Sequence, residues 1–225
     1  MHELNNNNLD SINKNQEAIN ITDLGNPAKP QGAEGKMMLS RMNDDHFDVT
    51  TWALSFFSFK EDDNVLDIGC GGGRTLNRMA ANIISGHLTG VDYSKVSVEM
   101  SSETNAEIIA AGKMEIIEAS VENLPFDNDS FDKIITVESF YFWPNPQENL
   151  KEVRRVLKDG GKFLLVADIY DCEDLNDRQR ENIKKYNLYN PSLNTFETLM
   201  KNAGFSNVII HTKENTTWVC AEGIK

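Results

Sequence analysis

One stretch constrains the fold more than any other: Val65-Leu66-Asp67-Ile68-Gly69-Cys70-Gly71-Gly72-Gly73, read together with Gly90-Val91-Asp92. A short apolar run ends in an acid, a glycine turn follows, and a second apolar run ends in another acid. A parallel α/β sheet grips a nucleoside-like ligand in this way. The first strand delivers the chain to the sheet edge, and the glycines let backbone N–H groups come close because no Cβ intervenes. The second acid falls where a ribose presents its hydroxyls.

The rest of the chain supports that reading. With 225 residues, 40% hydrophobic and 25% charged, it has ordinary globular composition. No apolar run approaches the roughly 20 residues that span a bilayer, and the first residues lack the basic-then-apolar pattern of a secretory leader. Cys70, Cys172 and Cys220 are far apart and odd in number, which gives neither a disulfide framework nor a metal spacing. A reducing, cytoplasmic setting with no metal is expected. The net charge of −13 argues against a nucleic-acid partner, whose phosphates call for a basic face, and no feature points to a membrane partner. The acidic balance favours a small-molecule substrate. No pattern here specifies an oligomeric state.

Organisation follows from composition shifts. Residues 1–24, with the run Asn5 to Asn8, read as a disordered or partly helical tail. Breakers at Gly25-Asn26-Pro27 and Lys29-Pro30-Gln31-Gly32 lead into a more apolar, helix-flavoured segment, and residues 25–60 form an N-terminal helical unit ahead of a domain over 61–225. From Asn64 strands and helices alternate. Strands are predicted at Val65–Ile68, His87–Asp92, Met114–Ala119, Phe131–Val137 and Lys162–Ala167. Helices are predicted over Arg74–Ile84, with Gly86 just past the end, and from the Ser94 cap to Ala111, stopped by Gly112. A further helix starts at Asn145-Pro146 and ends at Gly160-Gly161. Asp168–Asn190 reads as polar and irregular. Leu193–Ala203 is the last helix, and Phe205–His211 with Thr216–Cys220 reads as a hairpin. Such alternation implies a doubly wound, mainly parallel sheet with ligands at the strands' carboxyl ends.

Several residues stand out at that edge. Gly69, Gly71 and Gly73 suit close packing against a cofactor, and Asp67 is a strand-end acid able to cap the glycine turn. Asp92 can accept from two adjacent hydroxyls, with Tyr93 either against a purine or packed in the ordinary way. Glu138 follows the fourth strand's apolar run and points into the cleft, with Tyr141, Phe142 and Trp143 beside it as a wall for an apolar or planar molecule.

These residues resemble the class I S-adenosylmethionine-dependent methyltransferases, in their small-molecule, type 11-like branch. Asp67-x-Gly69-x-Gly71-x-Gly73 is similar to the family's first motif, and Asp92 to the acid after its second strand. Asn123-Leu124-Pro125-Phe126 with Ser130-Phe131-Asp132, Leu157-Lys158-Asp159-Gly160-Gly161 and Ala203-Gly204-Phe205 follow in the family's order. The resemblance runs from about Met42 to the C-terminus. It implies a seven-stranded, Rossmann-like sheet with helices on both faces and a C-terminal antiparallel hairpin. It also implies S-adenosyl-L-methionine as cofactor, with S-adenosyl-L-homocysteine as product, and methyl transfer to a small-molecule acceptor by in-line displacement. The cofactor residues it implies are Asp67, Gly69, Gly71, Gly73, Asp92, Tyr93, Ser120, Val121 and Glu138. Ser120 stands where the family often has an acid facing the adenine amino group. Segments before the first strand fold over the cofactor as a lid in this family, which makes His46 a candidate general base beside Glu138.

Two other readings remain open at this point. A nicotinamide-dependent oxidoreductase shares the strand, glycines and distal acid, but none of the five tyrosines is followed by Lys four residues on, as the usual single-domain catalytic pair requires. A non-catalytic protein that binds the cofactor has the same signature.

Overall fold

The computed structural model describes residues 21–225. The tail expectation for residues 1–20 lies outside the described residues, and residues 21–25 are helical. Seven strands form one sheet: β1 (Asn64–Ile68), β2 (His87–Asp92), β3 (Met114–Glu118), β4 (Phe131–Val137), β5 (Leu157–Ala167), β6 (Ser206–Thr212) and β7 (Val219–Ile224). Their order across the sheet is β3-β2-β1-β4-β5-β7-β6. The first five are mutually parallel, and β7 runs antiparallel to both β5 and β6. This is the mainly parallel, seven-stranded arrangement with a C-terminal antiparallel hairpin that the resemblance implied. The order reverses at β1, between β2 and β4, which opens the ligand crevice at the carboxyl ends of β1, β2 and β4.

Alternation along the central strands buries both faces. Leu66, Ile68, Ile134, Phe163 and Leu165 belong to one apolar cluster, while Val65, Ile135, Leu164 and Val166 belong to the other. A period of two places neighbouring residues on opposite faces, so a fully apolar run can satisfy both. The first cluster is covered by α6 (Pro146–Val156), through Leu150, Val153 and Val156, and by α8 (Leu193–Asn202), through Phe196 and Met200. The second is covered by α2 (Phe47–Leu54) and α3 (Arg74–Met79). Over the crevice lies α1 (Gly32–Asp45), which packs on α4 (Lys95–Thr104). No helix among the described residues is long and apolar enough to cross a membrane.

Several boundaries depart from the sequence expectation, each for a local reason. The helix expected over 74–84 ends at Met79 and tightens into a 3₁₀ turn at Ala80–Asn82. Gly86 serves close approach instead of a cap: a Cβ there would lie 2.0 Å from the Asp63 carbonyl oxygen. The helix capped by Ser94, whose hydroxyl accepts from the Ser97 N–H, breaks at Asn105 and resumes as α5 (Ala106–Ala110). The Asn105 side-chain amide donates to the carbonyls of Gly73 and Ser101, so the break ties the helix to the glycine turn. Asn145 makes no side-chain cap; the Asn149 side chain instead accepts from the Asn145 N–H at 3.1 Å. Gly160 and Gly161 lie inside β5, where the register against β4 slips between Phe131 and Lys133. The stretch read as irregular contains α7 (Asp177–Lys185), begun by a capping box between Asn176 and Gln179. The final strand runs to Ile224, beyond the expected Cys220.

Candidate active site

β1 delivers Asp67 and the glycine turn to the crevice. Gly69 and Gly71 have φ of +73° and +50°, a region that side-chain-bearing residues enter at a cost. The two differ in what surrounds them. A Cβ on Gly69 would lie 2.5 Å from the Ser139 Cβ, whereas one on Gly71 would meet nothing nearer than Leu39 at 3.5 Å. Gly69 is therefore required by packing, and Gly71 keeps space open. Both line a cavity of about 380 Å³, together with Gly72, Asp67, Asp92, Tyr93, Ser120, Val121, His46 and Glu138.

Gly73 lies outside that lining. A Cβ there would clash with Ser101 and Asn105, so its smallness serves the contact between turn and α4. Gly72, which sequence reasoning passed over, takes its place on the cavity wall. Trp52, in the segment ahead of β1, packs on Phe56 and Trp218, with ring centroids 5.2 and 6.1 Å away.

Asp92 is buried at the end of β2, and its two oxygens are held by backbone. The Gly71 N–H donates to one at 3.0 Å and the Ser94 N–H to the other at 2.9 Å. Burial raises its pKa, while these N–H donors and Ser97 oppose the rise. Each carboxylate oxygen has a second lone pair, so both remain able to accept from a ligand. The Tyr93 hydroxyl donates to the Ala28 carbonyl, and the Ser94 hydroxyl donates to the Pro30 carbonyl at 2.7 Å. These two bonds fasten the strap at residues 27–30 against the cavity mouth. Arg74, expected at the helix start, opens α3 and also lines the cavity.

Asp67 is 1% exposed and one of its oxygens has no hydrogen-bond partner among the described residues. Burial first, and the charge of Asp92 second, push its pKa to about 8. Burial first, then the charges of Asp92 and Asp67, push the Cys70 thiol well above its ordinary value.

The β4–β5 end carries a third buried acid. Glu138 has φ +56° and is 8% exposed. Its N–H is fixed to the Val166 carbonyl of β5 at 3.0 Å. One oxygen, Oε2, accepts from the Tyr141 hydroxyl, and His46 Nε2 stands 4.0 Å away. The other, Oε1, has no partner among the described residues. Tyr141 also reaches Asp168 Oδ1 at 3.3 Å. Burial first, then the Asp168 charge, raises the Glu138 pKa well above the carboxylate range. His46 is pushed down by burial, against the pull of Asp168 and Asp45, so it is neutral near pH 7.

Asp168 was missed in the sequence because no motif surrounds it. The signal was the strand pattern: β4 and β5 are adjacent and parallel, with Val137 opposite Val166, and each is followed within two residues by an acid. Ser120 lies at the cavity wall in a small loop, with its hydroxyl 3.3 Å from Glu122 Oε2.

This fold and cavity define an α/β domain of class I methyltransferase type. The orphaned Asp67 oxygen can take an N–H donor, the space at Gly71 admits a ligand close to the backbone, and the Asp92 oxygens can accept from hydroxyls. Residues 66–165 match the family model described as a methyltransferase domain. The chain is 32% identical over 126 residues to the sterol 4-C-methyltransferase strm-1 of Caenorhabditis elegans, a span of 56% of this chain and 36% of that one. It is 31% identical over 106 residues to a 2-methyl-6-phytyl-1,4-hydroquinone methyltransferase of Oryza sativa, covering 47% of this chain and 31% of that one. The matched span is thus about a third of the length of these relatives. A solved S-adenosylmethionine-dependent methyltransferase from Aquifex aeolicus superposes with a TM-score of 0.67 at 17% identity, over 84% of this chain and 97% of that one. Residues 66–165 are thus similar to a methyltransferase domain, and the described chain shares the fold of a solved S-adenosylmethionine-dependent methyltransferase.

Proposed function

We propose that the protein binds S-adenosylmethionine in the cavity at the ends of β1 and β2 and promotes methyl transfer to a small-molecule acceptor. The observation that carries this is the pair of buried carboxyl groups, Asp67 and Glu138, each with an unpartnered oxygen on one cavity that also holds Asp92 and the glycine turn. Buried polar atoms without partners are rare in native proteins and call for an explanation. A cofactor with a donor at Asp67 and an acceptor with a donor at Glu138 supply one.

Asp67 would accept from the amino group of the methionyl end, and Arg74 stands on the same wall for its carboxylate. Asp92 would accept from the ribose hydroxyls, with Ser120 and Val121 at the base. S-adenosylmethionine brings a methyl group already activated by a sulfonium. The chain's own task is to hold the acceptor's lone pair in line with that methyl, to keep water out, and to take a proton where the acceptor must lose one. Orientation of this kind lowers a barrier by roughly 7–11 kcal/mol. Glu138 and neutral His46, at the junction of strand end and lid, are the groups able to hold that proton.

The test has two parts. Titration of the full chain with S-adenosylhomocysteine should show saturable binding. Incubation with tritiated methyl donor and a small-molecule cell extract should move label into a low-molecular-weight product. An absence of binding defeats the proposal, and binding without transfer reduces it to a cofactor-binding protein.

A further inference from the structure

A second cavity of about 550 Å³ adjoins the first and shares Ala28, Phe142, Trp143 and Pro144 with it. Tyr141 lines the second cavity, Glu138 lines the first, and the Tyr141 hydroxyl joins the two by its bond to Glu138. Glu138 and Tyr141 thus join the two linings by a hydrogen bond, with Asp168, on neither lining, 3.3 Å from the Tyr141 hydroxyl.

The protons of this cluster constrain what it accepts. The phenol has one proton and lies within reach of two carboxyl groups. It can donate to only one, so the other contact needs a proton on a carboxyl. Burial and the nearby Asp168 charge favour the protonated form of Glu138, while its Oε2 accepts from the Tyr141 hydroxyl. Among the described residues no lysine or arginine forms an ion pair with Glu138 or Asp168, and His46 is the one basic group paired with Glu138. Burial keeps that imidazole neutral. No lysine or arginine ion pair thus offsets the two acids among the described residues, and Glu138 Oε1 is left there without a donor. A ligand cation with N–H groups satisfies both needs. The faces of Phe142 and Trp143 are a further favourable surface for an ammonium.

We propose that the second cavity holds the methyl acceptor and that the acceptor is a small amine with an apolar or aryl body, its nitrogen placed at the Glu138–Tyr141 seam. This rests on the methyl-transfer reading above and names its substrate class. The ammonium form displaces the Glu138 proton to solvent on binding. Glu138 then takes one N–H proton, and the N–H electrons remain on nitrogen as a lone pair. The N–C bond forms as the S–C bond breaks, sulfur keeps that electron pair, and the product leaves as the N-methylated ammonium. An acceptor that reacts at carbon has no N–H to offer Glu138, and an alcohol leaves the cluster's charge uncompensated.

The test is tryptophan fluorescence of the full chain saturated with S-adenosylhomocysteine, titrated with 2-phenylethylamine and with 2-phenylethanol, and likewise with butylamine and butanol. At least one amine should bind about tenfold or more tighter than its alcohol. Glu138→Gln should remove that preference while the alcohol's affinity stays within about twofold. Tyr141→Phe, which keeps the ring, should weaken the preference and serves if Glu138→Gln fails to fold. Saturable S-adenosylhomocysteine binding with no amine preference in either pair overturns this inference alone. Failure to bind S-adenosylhomocysteine overturns the reading beneath it.

Discussion

The ends of β2 and β4 both finish near a buried acid, and they hold it by opposite means. Asp92 is gripped by backbone: the Gly71 and Ser94 N–H groups take one oxygen each. Glu138 is held by a strained φ of +56°, by its own N–H on β5 and by the Tyr141 hydroxyl, with one oxygen left open. The first arrangement is local, built within one strand–turn–helix unit and its neighbour. The second is tertiary, since it needs β4, β5 and the helical segment carrying His46 to meet. A site half built from backbone is set by the fold itself, whereas one built from side chains can change with little effect on the fold.

This contrast can be broken most forcefully at the glycines. Gly69→Ala forces a Cβ against Ser139 at positive φ, and should cost about 2–5 kcal/mol from strain and overpacking. A melting temperature lower by roughly 5–15 °C would register it; an unchanged melt would show that the turn is not packed as described. Gly71→Ala shares the positive φ but has room. Its melt should fall by only about 2–6 °C, from roughly 1–2 kcal/mol of strain. Its affinity for S-adenosylhomocysteine should drop about tenfold or more as the methyl enters the cavity. Equal effects at the two positions would erase the distinction between packing and binding glycines.

A finer probe is pH. Asp67, with its pKa raised to about 8, is mostly protonated below that value in the free protein. A bound ammonium favours the ionised form, so binding releases a proton. Cofactor affinity should therefore rise between pH 6 and 7.5, by up to about tenfold per unit, before it flattens above 8. Calorimetry at three pH values checks this, and Asp67→Asn should flatten the profile. A flat wild-type profile would place the amino group elsewhere. The smallest expected effect lies at the strap. Tyr93→Phe removes the hydroxyl bond to Ala28, worth about 0.5–1.5 kcal/mol, and should weaken cofactor binding by about two- to tenfold.

The same contrast explains what could be read from the amino-acid order. Strands β1, β2 and β4 follow apolar runs whose two faces are both buried, and their ends lie within a residue of expectation. The glycine turn and Asp92 were legible because their geometry is encoded by neighbours in the chain. Gly73 was read as a cavity residue because its motif position is the same as that of its partners; only the approach of Ser101 and Asn105 separates them. The helix α7 was hidden because its eight polar residues out of nine give no apolar stripe, although the Asn176 and Gln179 capping box was in view. Asp168 was hidden for a different reason. Its meaning comes from Tyr141, which lies 27 positions earlier in the chain and is brought to it by strand pairing.

Calorimetric titration of S-adenosylhomocysteine into the full chain and into Asp92→Asn bears most directly on the central claim. The amide keeps the shape of the carboxylate and one accepting oxygen, but loses the charge and the second acceptor. The account predicts one saturable site in the unaltered protein and an affinity about 10- to 100-fold lower in the variant, the range for losing a charge-assisted bond. Equal affinity in the two proteins, or no binding to either, would contradict it.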